Sequence, residues 1–418
     1  MTTPRKFEVS FDRQHVARMM QLVESSTLPD APPFPEATWE EGIELPWLKQ
    51  VKDKWIREFA IDEFERKLNR WPQYITRLED EDVDLHFVHA KSARQDAIPL
   101  MLLHGWPGTF HDFHKVIEPL VNPPEDSSPA FHVVVPSIPG YAWSSHPRRS
   151  EFTFVDIGRI YHRLMNGVLG YDKYAVQGGD WGHFIARAMF RDRIIAAHIP
   201  VGHLNMYVGV PTSAKILQGL AALVPSFLHA IPGYTALTTA LSNKAQSLVL
   251  SPTERRGVAR SLEMFRSGIG YMQLQATKPL TIGYALNDSP LGLLAYIGEK
   301  FYAWSDPDTL DTTDLIETVA LYYLTKSFYT SVFIYNRSNA VTQDVVYHPG
   351  RWPIDKRIAL GFGSYPYEVT AAPKALLGGN SRLVQYKEHS KGGHFAALDA
   401  EKAFVDDLRE LAVKNWVG

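Results

Sequence analysis

Gln177-Gly178-Gly179-Asp180-Trp181-Gly182-His183 places one reactive carboxylate among three glycines. Tyr174-Ala175-Val176 has the apolar character of an incoming strand, and Phe184 to Phe190 that of an outgoing helix. Gly-x-Asp-x-Gly at such a junction predicts a nucleophile elbow. The tight turn lifts the central side chain above a sheet, and small neighbours let the backbone bend. Elbows of this form usually carry Ser. With Asp180 the covalent intermediate is an alkyl ester, so the chemistry expected is attack at saturated carbon, as in an epoxide or an alkyl halide.

Two further segments complete the set. Pro99-Leu100-Met101-Leu102-Leu103 is an apolar run that predicts a buried strand, and it feeds His104-Gly105-Trp106-Pro107-Gly108. The loop after such a strand supplies one backbone N–H to an oxyanion hole, and the residue after the nucleophile supplies the other. The expected donors are the N–H groups of Trp106 and Trp181; Pro107 has none. Near the C-terminus, Leu383-Val384-Gln385-Tyr386 predicts a last core strand. Lys391-Gly392-Gly393-His394-Phe395 follows, then a helix from about Asp399 to Trp416. The chain has 16 histidines, so one His alone carries little information. A Gly-Gly loop after the last strand sets His394 apart as the general base.

An acid must orient that imidazole. Arg357 to Phe362 predicts the preceding strand, and Gly363 to Glu368 the loop beyond it, which makes Glu368 the candidate. Asp355 precedes the strand, at its wrong end. Glu388 is close to His394 in sequence and better suited to a helical or solvent-facing place.

These residues resemble the microsomal-type epoxide hydrolases, including the soluble fungal members, of the α/β-hydrolase fold. The resemblance covers nearly the whole chain. Trp39-Glu40-Glu41-Gly42, Trp55 to Phe59 and Leu68 to Tyr74 match that family's N-terminal extension. Gly270 to Pro279, running on through Ala285 to Gly292, resembles the first lid tyrosine segment. Phe333-Ile334-Tyr335-Asn336-Arg337 resembles the second. The resemblance implies Tyr271 and Tyr335 as hydrogen-bond donors to the epoxide oxygen, and it places Glu368 and His394 at the acid and base positions. It implies that Asp180 opens the ring, that His394 with Glu368 activates water against the ester, and that a vicinal diol leaves. No cofactor and no metal are implied. A haloalkane-type dehalogenase uses the same Asp, and the indoles of Trp181 and Trp106 would suit halide; the tyrosine pair argues against it. No Gly-x-Ser-x-Gly occurs, which disfavours an esterase. A purely binding protein would not need the whole set.

The elements needed to position these groups are legible in outline. A chain of 418 residues can bury a large core. Residues 1–93 read as an N-terminal extension, ending in Val83 to Phe87, which alternates like a strand with one exposed face. Residues 94–204 alternate strands and helices, as in a mostly parallel sheet. Phe131 to Val135 and Ile194 to Ile199 read as strands. Thr153-Phe154-Val155-Asp156 has capping-box form ahead of helical spacing from Ile157 to Val168. Residues 205–340 read as an inserted helical lid, and 341–418 as the second part of the core. A net charge of −3 gives no electrostatic case for nucleic acid. Zero cysteines exclude disulfides, a thiol nucleophile and Cys-ligated metal. The first residues lead into no apolar signal segment. The apolar stretch Ile216 to Ile231 is broken by Pro225 and falls short of the ~20 residues a membrane helix needs. It is expected to pack as lid helix or at a subunit contact. The expected setting is cytoplasmic, without an integral membrane anchor, and a homodimer through the lid is compatible with the sequence. Abundant aromatics imply an apolar pocket for a small-molecule epoxide.

Overall fold

The computed structural model describes residues 3–125, 127–209, 250–370 and 372–417; Ile216–Ile231 lies outside them. Among the described residues, nine strands form one sheet in the order β1-β2-β3-β5-β4-β6-β7-β8-β9. They are β1 (Arg5–Phe7), β2 (Gln73–Leu78), β3 (Val83–Ala90), β4 (Ile98–Leu103), β5 (Phe131–Pro136), β6 (Ala175–Gly178), β7 (Val201–Leu204), β8 (Ala359–Ser364) and β9 (Leu383–Glu388). β1, β2, β3 and β5 pair antiparallel in turn, and β5 through β9 run parallel. This is the α/β-hydrolase fold. The N-terminal stretch therefore contributes three strands to the same sheet that carries the site.

The inner parallel strands are buried along almost all their length because helices cover both their faces, whereas the edge strand β9 is partly exposed. The pairing of β7 with β8 shows this directly. A side chain on Gly202 would meet Phe190 of the helix Asp180–Arg191, whereas one on Gly361, a register position further, would meet Leu411 of the helix Glu401–Asn415. Neighbouring positions face opposite ways, so the two helices lie on opposite sides. The capping box at Thr153 forms as expected: Thr153 and Asp156 each accept from the other's backbone at the start of the helix Phe154–His162. The helical path then continues as a π-helical turn over Arg163–Val168.

Two expectations need correction. Ile194–Ile199 is not a strand. Asp192 accepts from the Ile194 and Ile195 amides and starts the short helix Arg193–Ala196, and the strand begins only at Val201, after Pro200. An apolar run of β-branched residues fits either state, and the cap decides it. Ile194 itself is 76% exposed. Nor does β3 have an exposed face. It is paired on both edges and buried along almost all its length, and buried His86 bridges Gln73 and Ser137 through its two ring nitrogens.

Between β7 and β8 the described chain is helical. Pro252–Glu263, Gly270–Thr277, Pro279–Leu286, Pro290–Trp304, Thr312–Thr325 and Phe333–Tyr347 form the lid, the last continuing across residue 340. The N-terminal helices Leu45–Glu58 and Ile61–Leu68 pack against it. Trp39 stacks on Tyr302 at 3.5 Å, and the Lys67 ammonium lies 2.6 Å from the Glu317 carboxylate. No described helix is long and apolar enough to cross a membrane.

Candidate active site

Asp180 sits at the C-terminal edge of the sheet, where β6 turns into its helix. Its φ of 46° is left-handed, a conformation that costs a non-glycine residue free energy and persists only where the surroundings enforce it. The flanking glycines permit that geometry. A Cβ on Gly182 would lie 2.1 Å from the Leu103 carbonyl, and one on Gly178 would lie 2.4 Å from the Gly182 carbonyl. Gly105 serves the same purpose from β4's loop: a Cβ there would be 1.9 Å from the Asp180 carboxylate. The helix N-terminus beneath Asp180 favours negative charge.

The other expected groups converge on this carboxylate. The Trp106 N–H donates to Asp180 Oδ1 at 2.6 Å. The Trp181 N–H lies in the first turn of the helix, where the helix offers it no acceptor. His394 Nε2 lies 3.3 Å from Asp180 Oδ2, and its Nδ1 is 2.9 Å from Glu368 Oε1. Glu368 is 1% exposed, and the same oxygen accepts from the Val369 and Thr370 amides, which fixes its position. Asp355 instead pairs with Arg357, and Glu388 accepts from the Ser251 hydroxyl at the surface. Burial lowers the proton affinity of His394, but Glu368 and then Asp180 outweigh it and raise its pKa to about 10.

Tyr271 and Tyr335 come down from the helices Gly270–Thr277 and Phe333–Tyr347 onto the elbow. Their rings lie 5.8 Å apart, edge to face. Tyr271 stacks on Trp106 at 5.2 Å, and Tyr335 meets the Trp181 ring at 4.8 Å. Burial, followed for Tyr271 by the Asp180 charge and for Tyr335 by Tyr271 and then Asp180, raises both hydroxyls far above the ordinary tyrosine range. Both therefore stay protonated and can donate.

Two cavities meet at Asp180. One, of about 770 Å³, opens on the lid side and is lined near the carboxylate by Trp181, Phe184, Met206, Met272, Tyr271 and Tyr335, with exposed Gln273, Asn339 and Gln343 at its mouth. The other, of about 40 Å³, lies behind the carboxylate among His394, Asp112, Gln177 and Asn205. It has room for water. Gln177 comes with the elbow segment itself, whereas Asp112 and Asn205 carry no motif that would single them out in the sequence. Only the fold brings them to the back of the elbow, where burial lifts the Asp112 carboxyl to about 7. Away from the elbow, His111, His114 and Glu317 have the spacing for a metal ion, but the Lys67 ammonium already supplies positive charge at Glu317.

Known proteins resemble this chain along nearly its whole length. The family described as epoxide hydrolase N terminus matches residues 4–113, and the α/β hydrolase fold family matches residues 98–235. A putative epoxide hydrolase of Stigmatella aurantiaca is 32% identical over 383 residues, covering 89% of this chain and 77% of that protein. Epoxide hydrolase 1 of Sus scrofa is 30% identical over 427 residues, covering 97% and 88%. The chain belongs to the epoxide hydrolase family. The solved structure of Aspergillus niger epoxide hydrolase superposes with a TM-score of 0.81 at 29% identity over 99% of this chain and 97% of that one. The juvenile hormone epoxide hydrolase of the silkworm Bombyx mori superposes at 0.83, with 27% identity over 99% and 95%. The dehalogenase alternative finds no support among these epoxide hydrolases.

Proposed function

We propose that this chain hydrolyses epoxides to vicinal diols through an ester on Asp180. The observation that carries the reading is the Asp180 carboxylate held between two protonated tyrosines on one side and a carboxylate-backed imidazole on the other. In the first step an Asp180 oxygen attacks a ring carbon and the ring C–O bond breaks. The leaving oxygen takes a proton from Tyr271 or Tyr335, and the phenolate is reprotonated at the expense of the His394 imidazolium. General-acid help of this kind typically contributes ~10²–10⁴-fold.

Alkylation itself prepares the second step. The ester is neutral, so His394 loses one of the two charges that raise its proton affinity. The imidazole then accepts a proton from water while the water oxygen attacks the Asp180 carbonyl carbon. The N–H groups of Trp106 and Trp181 hold the oxyanion. Collapse releases the diol and restores the carboxylate and the imidazolium, so protons balance over the cycle.

The test is a single turnover of styrene oxide in ¹⁸O-water with enzyme in excess. The first diol should carry little label, and the protein should gain it at Asp180. Fully labelled diol would mean that water attacks the ring directly and would overturn the ester route.

A further inference from the structure

The loop that carries His394 is held by the lid rather than by the core alone. The His394 N–H donates to the Trp304 carbonyl at 2.8 Å, and the Gly392 N–H donates to Asp306 Oδ2 at 2.9 Å. Asp399 Oδ2 accepts the Asp306 N–H at 3.2 Å and faces the Gly393 amide. Both carboxylates are buried. The approach is close: a Cβ on Gly393 would lie 2.2 Å from the Trp304 carbonyl, and Gly392 has a φ of 93°. Trp304 to Asp306 is the end of the lid helix Pro290–Trp304 and the turn after it. The Trp304 ring also packs 5.5 Å from Tyr271 and 5.1 Å from His394.

We propose that Asp306 and Asp399 are positioning residues for the ester-hydrolysis step, clasping the Gly392–Gly393 turn so that His394 is aimed only when the lid end is docked. The inference rests on the reading of His394 as the base of that step. Asp306 supplies the acceptor for Gly392 and, through its own N–H, orients the Asp399 carboxylate. Neither side chain lines the large cavity where the epoxide would lie. Attack on the ring carbon and protonation of the leaving oxygen use Asp180 and the tyrosines, and His394 enters only after the ring C–O bond has broken, so loss of the clasp should be felt in ester hydrolysis and not in ester formation.

The experiment is rapid-quench intact-protein mass spectrometry with styrene oxide on the full chain, which reads ester formation and ester loss separately. Asp306→Ala should form the ester at the parent rate and lose it more slowly, by about 10²-fold if the imidazole is displaced by an ångström. Asp306→Asn keeps an acceptor oxygen and should restore part of that loss. Asp399→Asn should slow the same step, and kcat and KM should fall together as ester accumulates. A folded Asp306→Asn or Asp399→Asn chain that slows both half-reactions equally overturns the proposal, as does a folded Asp306→Ala chain that hydrolyses ester at the parent rate. His394→Gln is the control. If it forms no ester, or hydrolyses it normally, the assignment of the base fails instead.

Discussion

At the residue scale the site works by charge cancellation. His394 is held protonated by Glu368 and Asp180 against the cost of its burial. The stability this contributes is present in full below the unfolded imidazole's pKa of about 6.5 and is lost as pH rises through about 10. Asp180→Asn keeps the shape and removes one charge, as the ester does. The His394 pKa, followed by NMR of the ring protons, should fall in that variant, and the stabilising window should close at lower pH. An unchanged value would show that Asp180 does not control the base. The tyrosines form the other residue-scale test. Tyr271→Phe and Tyr335→Phe should each slow ester formation, and the double variant should lose the ~10²–10⁴-fold that acid catalysis typically gives. Rapid-quench rates of alkylation report this. A double variant alkylated at the parent rate would remove both hydroxyls from ring opening. Asp180, His394 and Glu368 were legible because each lies on a loop with its own local signature: paired glycines, or a polar residue beyond a strand's carboxyl end. Asp306 and Asp399 were not. Their meaning is a contact between lid and base loop, which only the tertiary fold creates.

At the element scale, the glycines of the elbow and the caps of the helices do different kinds of work. Gly182 lets the helix Asp180–Arg191 lie against β4. Gly182→Ala puts a methyl into the Leu103 carbonyl, and overpacking of this sort costs about 1–3 kcal/mol. A lowered urea midpoint, with activity reduced in the fraction still folded, should result, since the displaced element is the one that carries Asp180. Thr153→Ala removes a cap that lines neither cavity at Asp180. It should cost about 1 kcal/mol of stability and leave kcat unchanged, as measured by urea unfolding and turnover together. The strands β4 and β5 and the Thr153 cap could be read from sequence because each follows from short-range pattern. The Ile194–Ile199 run could not. Its composition suits a strand, and the outcome turned on Asp192 capping a helix whose apolar Ile194 then faces solvent. The full burial of β3 was equally hidden, because it depends on the cover given by elements distant in sequence.

At the scale of the whole molecule, N-terminal extension, core and lid share one hydrogen-bonded polar junction. Lys67, His111 and Glu317 come from the three parts in turn, and His114, Lys115 and Asp314 extend the cluster. The lid is thus fastened at this junction and again at the His394 loop, with the large cavity between lid and sheet. That arrangement makes Asp180 a partition wall. On the proposed route an incoming epoxide occupies the larger compartment, and after ring opening its carbon skeleton shields the ester carbonyl on that side. The small compartment behind the carboxylate stays free, and His394 borders it. Substrate bulk should therefore be felt by alkylation alone. Across a series of epoxides of growing size, rate constants for ester formation should spread widely while those for ester loss cluster. Two chambers that share one carboxylate give the epoxide and the water separate places, so that one can be used after the other.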